Sequence, residues 1–382
     1  MPAPYEVAVA RCDSYDPAIV RAAIEESLAP FGGIASVARE GSRILVKINL
    51  LAARRPESAV TTHPGVVRAV IRMVQECGAE AIVGDSPGGR NTPASYRALL
   101  KKTGIQDVIE ETGATMAYFD EPRMERVSDR SRTFKKFTVT AMLDSVDAVI
   151  CLPKLKTHQF TLFTGAVKLL YGYIPGVIKA EYHLHAGRDV TTFAELLLDL
   201  HDTFPPDLTI MDAVIGMEGT GPQSGTPRQI GLILAGRSCP AIDFAATRIV
   251  GLDPLAVPTI RCARERGSGP GSMEEITLHG PPLEDVRISG FRHPAVRNPG
   301  RIPPFLFAIA DRLLAERPVI DPGRCVRCGV CAEDCPPGAI LFSKGAIPEI
   351  DYGRCIRCFC CQELCPSGAV DVKTPVLRRI IG

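Results

Sequence analysis

Over its first 290 residues the chain switches repeatedly between two hydrophobic periods. Residues 5–10 alternate, and 43–50, 79–86, 114–119, 147–155, 207–213 and 229–236 are short, nearly continuous apolar runs, the pattern of strands buried on both faces. Between them the apolar positions take helical spacing. In 17–28 they are Ile19, Ala23, Ile24 and Leu28, with Asp16 and Pro17 supplying a cap and a first turn. Further helices are expected over 64–77, 93–102, within 161–172, over 191–204 and over 241–251, and the polar, basic stretch up to Lys136 reads as a loop or an edge hairpin. Two-face apolar strands alternating with helices predict an α/β domain, a mostly parallel sheet with helices on both faces.

Ligands of such sheets sit beyond the carboxyl ends of the strands. Four strand ends are polar here: Lys47 with Asn49; Asp85 and Ser86 before Pro87-Gly88-Gly89; Lys154, Lys156, Thr157 and His158; and Asp212, with Glu218, Gly219, Gly221 and Pro222 beyond it. Each has a bland reading. A strand-end lysine usually snorkels to the surface, and Asp-Ser-Pro-Gly-Gly usually makes a turn. No G-x-G-x-x-G or G-x-x-x-x-G-K-[ST] occurs.

Residues 153–172 are more pointed, with Lys154, Lys156, His158, Thr164 and Lys168 around a Thr-Gly turn. If 165–172 is helical, Thr164 caps it and its free amides face an anion, with Lys168 one turn inside; the competing reading is a solvated basic face. His183 and His185, if extended, point to one side, but lacking an acidic or cysteine partner they make a poor metal site. An acid–base role beside the lysines suits them better. The expected pocket binds a small anionic substrate through Lys47, Asn49, Asp85, Lys154, Lys156, Thr164, Lys168 and Glu218, with His158, His183, His185 and Asp212 moving protons.

Near the C-terminus, Cys325, Cys328, Cys331 and Cys335 are spaced C-x2-C-x2-C-x3-C before Pro336, and Cys355, Cys358, Cys361 and Cys365 repeat this before Pro366. In the two-cluster ferredoxin pattern the last cysteine of each run ligates the other cluster. Cys325, Cys328, Cys331 and Cys365 are therefore expected to hold one 4Fe-4S cluster, and Cys355, Cys358, Cys361 and Cys335 a second. A shift of 30 positions (355 minus 325) also matches Pro318 with Pro348, Asp321 with Asp351, Gly338 with Gly368 and Ile340 with Val370. Two such copies imply a small pseudo-symmetric domain. Structural zinc prefers separated C-x2-C pairs, and cysteines two residues apart fit disulfide geometry poorly. Cys360 replaces Val330 of the first copy, an apolar position suited to a small buried thiol, with ligand substitution the remote alternative. Residues 318 to about 374 resemble a bacterial-type ferredoxin domain with two 4Fe-4S clusters.

The 382 residues carry a net charge of +1, so no basic field argues for nucleic acid or an anionic membrane. Glu6 interrupts the first apolar run and no basic segment precedes it, unlike a secretory signal, and no stretch of about 18 apolar residues predicts a transmembrane segment. A reducing cytoplasm is expected, which suits fourteen cysteines of which eight are candidate cluster ligands. The expected division is an α/β domain over 1–264, a Gly/Pro/Arg-rich linker over 265–317 whose apolar run at 303–314 forms a docking helix, and the ferredoxin domain over 318–376, whose tail covers the clusters or touches the α/β domain.

The motifs VKINL, TTHPGVV, VGDSPGG, PKLKTH, TGAVKLLYG, the His183 segment, MDAVIGMEGTGP and AIDFAATRIVG, in this order over roughly residues 5–255, resemble the domain-of-unknown-function family numbered 362. The chain departs from that pattern at Lys168-Leu169-Leu170, where asparagine is expected after the lysine. The resemblance implies an iron–sulfur redox protein of undefined reaction. The reading that joins pocket and clusters is an electron-transfer oxidoreductase acting on an anionic small molecule. Its alternatives are a non-catalytic relay that docks a redox partner protein, and an iron–sulfur assembly or sensing protein.

Overall fold

A computed structural model describes residues 5–294, 316–373 and 375. Among these residues the large domain is built on a ten-stranded sheet. Its strands are β1 (Tyr5–Arg11), β2 (Arg43–Ile48), β3 (Glu80–Asp85), β4 (Thr115–Tyr118), β7 (Ala148–Leu152), β8 (Lys154–His158), β9 (Leu162–Thr164), β10 (Leu208–Glu218), β11 (Thr226–Gly236) and β12 (Ile276–His279); β5 (Arg123–Val127) and β6 (Lys136–Thr140) form a separate hairpin. The main path runs β12-β1-β11-β10-β7-β2-β3-β4. From β10 to β4 every neighbour is parallel, and β11 is antiparallel to both β10 and β1. This is the mostly parallel α/β sheet expected from the pattern.

Strand alternation sends side chains to opposite faces. Ile44, Val46 and Ile48 face the helices Pro17–Leu28 and Pro64–Glu76, packing with Val20, Ile24, Val66 and Val70. Leu45 faces the other way, in a cluster with Ile82, Val149, Phe193 and Leu197 beside the helix Val190–Thr203. Each such aliphatic side chain contributes roughly 1.5–3 kcal/mol on full burial. Asp16 does cap the first helix, accepting from the Ala18 and Ile19 amides at 3.0 and 3.4 Å.

Pro153 separates what the pattern joined as one strand over 147–155. β10 pairs with β7 at Leu208 and Thr209 and then with β8 at Asp212 and Met217, while β8 turns back through β9. The β8–β9 hairpin thus stands over the carboxyl ends of the sheet.

Three expectations are corrected. The α/β domain extends past residue 264, because β12 pairs with β1 from Tyr5–Ile276 to Ala8–His279. The His183 segment is not extended but a helix, Lys179–Ala186, in which Tyr182, His183 and Ala186 share one buried face while His185 is exposed. The segment after Thr164 forms only the short helix Ala166–Leu169 followed by a 3-10 turn, Leu170–Tyr173. The proposed docking helix at 303–314 and nearly all of the tail lie outside the described residues. Among the described residues no helix is long and apolar enough to cross a membrane.

The small domain has β13 (Arg317–Ile320) paired with β16 (Val370–Lys373) and β14 (Ile340–Leu341) paired with β15 (Glu349–Ile350). The 30-residue shift exchanges the pairs: Ile320 opposite Val370 becomes Ile350 opposite Ile340. Hydrogen bonds follow the same symmetry. The Asp321 amide donates to Ala369 O and the Asp351 amide to Ala339 O, both at 2.8 Å.

Candidate functional site

The eight motif cysteines line two separate cavities in the small domain. One is walled by Cys325, Cys328, Cys331 and Cys365, the other by Cys335, Cys355, Cys358 and Cys361. Each run therefore gives three thiols to one cavity and its last thiol to the other. Four thiols spread around an apolar wall fit a cubane, whose corner irons each take one thiolate. Among the described residues no three His, Cys, Asp or Glu side chains converge as ligands of a single metal ion. The Ala339 amide donates to Cys335 Sγ at 3.2 Å and the Ala369 amide to Cys365 Sγ at 3.1 Å. Such bonds stabilise a thiolate and tune the group it holds.

The two cavities differ in exposure. Cys328 is exposed and Cys325 and Cys331 are half-buried, whereas Cys355, Cys358 and Cys361 are buried. The cause is docking. Phe359 stands where the first copy has Gly329, keeps the left-handed backbone that glycine would favour (φ 62°), and is buried in the apolar cluster of the large domain. A non-glycine residue there costs roughly 1–3 kcal/mol, offset by burial of an aromatic ring worth about 1.5–3 kcal/mol. Around it, Gln362 Nε2 donates to Thr220 O at 3.2 Å, Gln223 Nε2 to Cys365 O at 2.8 Å, and Arg188 Nη2 to Cys355 O at 3.1 Å.

Docking closes a cleft of about 840 Å³, counted out to its solvent mouth, between the sheet's carboxyl ends and the second cysteine loop. One wall carries Asn49, Lys154, Lys156, Thr164, Lys168, Lys179 and His183; the facing wall carries Asp334, Cys360, Glu363 and Leu364 of the small domain.

The lysines divide by partner. Lys47 is fully buried against Asp85 Oδ1 at 2.7 Å and does not line the cleft. Asp85 lies on the cleft wall, but its oxygens are taken by Lys47 and by the Leu50 and Ser86 amides at 2.6 and 2.8 Å. Lys154 pairs with Asp212 Oδ2 at 2.8 Å and donates to Tyr15 Oη at 2.7 Å; Asp212 also accepts from that hydroxyl and from the His63 amide, both at 2.9 Å. These carboxylates neutralise buried ammonium groups, so Lys47, Lys154 and Asp212 hold the strand ends rather than offer free charge.

Lys156 is different. Its Nζ donates to Asn49 Oδ1 and Val60 O, both at 2.7 Å, and neither is a carboxylate. Burial first, then the charge of Lys168, pushes it down to about 7. Lys168 is half-buried on the cleft wall and has no hydrogen-bond or ion-pair partner among the described residues. Lys179 donates to Ser86 O and is pushed down to about 8 by burial.

Thr164 lines the cleft with its hydroxyl unpartnered, and it does not cap the following helix. The amides expected to face a ligand anion are taken by Asp243, which accepts from Ala166 N at 2.6 Å and Val167 N at 3.1 Å. Gly165 permits this, since a Cβ there would lie 2.0 Å from Asp243 Oδ1.

His158 Nδ1 accepts from the Phe160 and Thr161 amides at 3.0 and 3.3 Å, which places the neutral ring's proton on Nε2. Burial and Lys168 push this ring down to about 4. His183 stacks on Phe193 at 4.4 Å, is pushed down to about 3 by burial, and leaves Nδ1 unpartnered on the cleft wall. His185 is exposed outside the cleft, and Glu218 is turned away to Arg292 at 2.9 Å.

Glu363, Cys360, Lys179 and Asp334 were missed by reading strand ends. A signal for the docked face was present in the differences between the two copies: Gly329 against Phe359, Ala332 against Gln362 and Asp334 against Leu364. Apolar or bulky gains confined to one copy mark the surface that meets another domain.

The chain is 35% identical over 293 residues to a thylakoid-associated protein of Synechocystis sp., covering 77% of this chain and 89% of that protein. Among solved structures it is similar to the lactate racemase apoprotein of Thermoanaerobacterium thermosaccharolyticum (TM-score 0.39, 13% identity, 61% of this chain and 54% of that one). It is also similar to a Thermotoga maritima protein (TM-score 0.35, 12% identity, 60% and 57%). The chain spans little more than half the length of either, and likeness this slight carries no functional argument. Residues 324–369 match the 4Fe-4S dicluster domain. Residues 44–248 match the domain of unknown function DUF362, and with a relative of that extent the chain belongs to the DUF362 family and carries a C-terminal 4Fe-4S domain.

Proposed function

We propose that the protein is an iron–sulfur electron-transfer oxidoreductase that exchanges single electrons with an anionic small molecule held in the cleft. The observation that carries this reading is the make-up of the cleft, whose walls come from both modules. Bound to Cys325, Cys328, Cys331 and Cys365, and to Cys355, Cys358, Cys361 and Cys335, two 4Fe-4S clusters supply one-electron chemistry. The rest is the work of the chain. Lys168 attracts the anion and the apolar Leu50, Leu169 and Leu364 exclude water from it. The buried His183 ring on the cleft wall sits beside that charge as a neutral donor, while the His158 Nε2–H is not among the groups lining the cleft and faces Glu363 at 2.8 Å. Cys360, next to the ligand Cys361, brings the buried cysteine loop to the cleft wall. Outside the cleft, exposed Cys328 lies in a loop with Val326, 63% exposed, a face open to a redox partner protein. A reducing cytoplasm suits these thiols; the relative's thylakoid association makes peripheral attachment to an electron-transport membrane the second location to test.

Anaerobic iron and sulfide determination with EPR of the dithionite-reduced protein comes first, with roughly eight iron per chain expected for two clusters. The reduced protein is then mixed with a panel of small organic anions. Reoxidation by a subset of them, slowed in Lys168→Met, supports the proposal. If no anion reoxidises the protein while a carrier protein does, the relay reading replaces it.

A further inference from the structure

We infer that Lys156 is an amine nucleophile that captures a carbonyl-bearing organic acid as an imine, with Lys168 holding the acid's carboxylate. The inference rests on the ligand cleft proposed above but requires no electron transfer.

The buried lysines at the strand ends are not equivalent. Lys47 and Lys154 each face a carboxylate at 2.7 and 2.8 Å, the arrangement of a charged ammonium. Lys156 faces two carbonyl oxygens, of Asn49 and Val60, both at 2.7 Å. An ammonium has three N–H donors and an uncharged amine two donors and a lone pair. The two acceptors satisfy the amine completely and leave its lone pair for the cleft that Lys156 lines. A third N–H without an acceptor would be costly in a side chain only 1% exposed. Burial lowers Lys154 as well as Lys156, but in Lys154 the paired Asp212 is the first group to oppose it. Burial and the charge of Lys168 lower Lys156 to about 7, Lys154 of its own strand adds to this, and Glu363 from the small domain and Asp85 at the end of β3 oppose it. An amine uncharged near neutrality is what imine-forming lysines require.

The neighbouring groups suit the chemistry. Thr164 is the cross-strand partner of Lys156 in the β8–β9 hairpin, and such partners hold their Cβ atoms about 4.5–5.5 Å apart. Its hydroxyl is buried, unpartnered and on the cleft wall, free to donate to a carbonyl oxygen as charge develops there. Lys168 adds an unpartnered cation on the same wall. The Lys156 lone pair adds to the carbonyl carbon, and the π pair of the carbonyl moves to its oxygen. Two protons pass from nitrogen to that oxygen in turn, and water leaves as the C=N bond forms. One water is released, and nothing is oxidised or reduced. The substrate class is a short 2-oxo acid or aldehyde acid.

The test is reductive trapping on the full-length, cluster-loaded protein under anaerobic conditions. Glyoxylate or pyruvate is added with cyanoborohydride at pH 7, with acetaldehyde as the probe lacking a carboxylate, and the lysines are mapped by mass spectrometry of peptides. Label is expected on Lys156 in the unmutated chain, half-maximal near its lowered value of about 7. The acids should label it at least about tenfold faster than acetaldehyde, and Lys168→Met should remove that advantage, a change of about 1.4 kcal/mol. Mapping the unmutated chain decides the matter even if a variant folds poorly. Label confined to surface lysines, no label from either acid, or label on Lys156 indifferent to the carboxylate overturns the inference. Anions that reoxidise the reduced protein without labelling Lys156 leave electron transfer standing and sink the imine. Label without reoxidation does the reverse.

Discussion

His158 Nε2 of the large domain and Glu363 Oε1 of the small domain lie 2.8 Å apart across the seam between them. The two atoms lie within ion-pair distance but out of line for a hydrogen bond. Burial alone would raise Glu363, but Lys168 and His158 outweigh it and hold its carboxyl below the ordinary range. Glu363 thus supplies the negative charge opposite a cluster of lysines and histidines. Replacing Glu363 by Ala is expected to destabilise the docked state by about 1–3 kcal/mol, the usual cost of leaving a buried polar group, here the His158 Nε2–H, without its partner. Glu363→Gln should cost less. Urea unfolding of both variants checks this, and equal, negligible losses would show the contact to be incidental.

Phe359 anchors the second cysteine loop from a left-handed backbone. Phe359→Ala should lose about 3–5 kcal/mol, as for a large aromatic removed from a core. Limited proteolysis should then cut the small domain free more readily. Phe359→Gly restores the residue of the first copy and relieves backbone strain, yet it empties the same space, so it should remain less stable than the unmutated chain.

Gly172 leaves room for a charge pair. A Cβ at this position would stand 2.1 Å from Asp85 Oδ1 and 2.4 Å from Lys47 Nζ. Both partners are buried and the pair is held at 2.7 Å, so neither has solvent to retreat into. Gly172→Ala should destabilise by about 1–3 kcal/mol or more, read from the chemical denaturation midpoint. An unchanged midpoint would mean the strand end can shift.

Asp243 gives a pH signature. Burial raises its carboxyl from the ordinary 3.8 to about 7, although the two amides it accepts from pull the other way. Between these values the folded chain binds a proton that the unfolded chain has released, so Asp243 lowers stability progressively as pH rises from about 4 to about 7 and levels off above. Asp243→Asn removes that slope while its Oδ1 can still accept from Ala166 N. Denaturation midpoints at several pH values across this window should fall less steeply in the variant, and parallel slopes would contradict the assignment.

Crossed ligation predicts how cysteine losses group. Cys365→Ala should remove the same EPR signal as Cys325→Ala, and Cys335→Ala the same signal as Cys355→Ala, because each cavity mixes three thiols of one run with the last thiol of the other. Grouping by sequence run instead would refute it.

What the residues determined by themselves was periodic or repeated. Apolar runs between helices of 3.6 spacing pointed to a mostly parallel sheet, because strands covered on both faces by helices favour that arrangement, although β11, just as apolar, is antiparallel to both its neighbours. The doubled cysteine motif was legible as a ferredoxin domain because cubane ligation needs that spacing, and the polar strand ends pointed to the end of the sheet where the cleft lies. The tertiary structure decided which of those polar groups remain available. Lys47, Lys154, Lys156 and Lys168 look alike in the sequence; partners 38 to 107 positions away set two of them against carboxylates and one against carbonyls, and leave one unpartnered among the described residues. The Thr164 helix end likewise looked open until Asp243, 77 positions beyond Ala166, filled it. The charge state of a buried side chain follows from what is packed against it, and those neighbours are set by the fold rather than by local sequence.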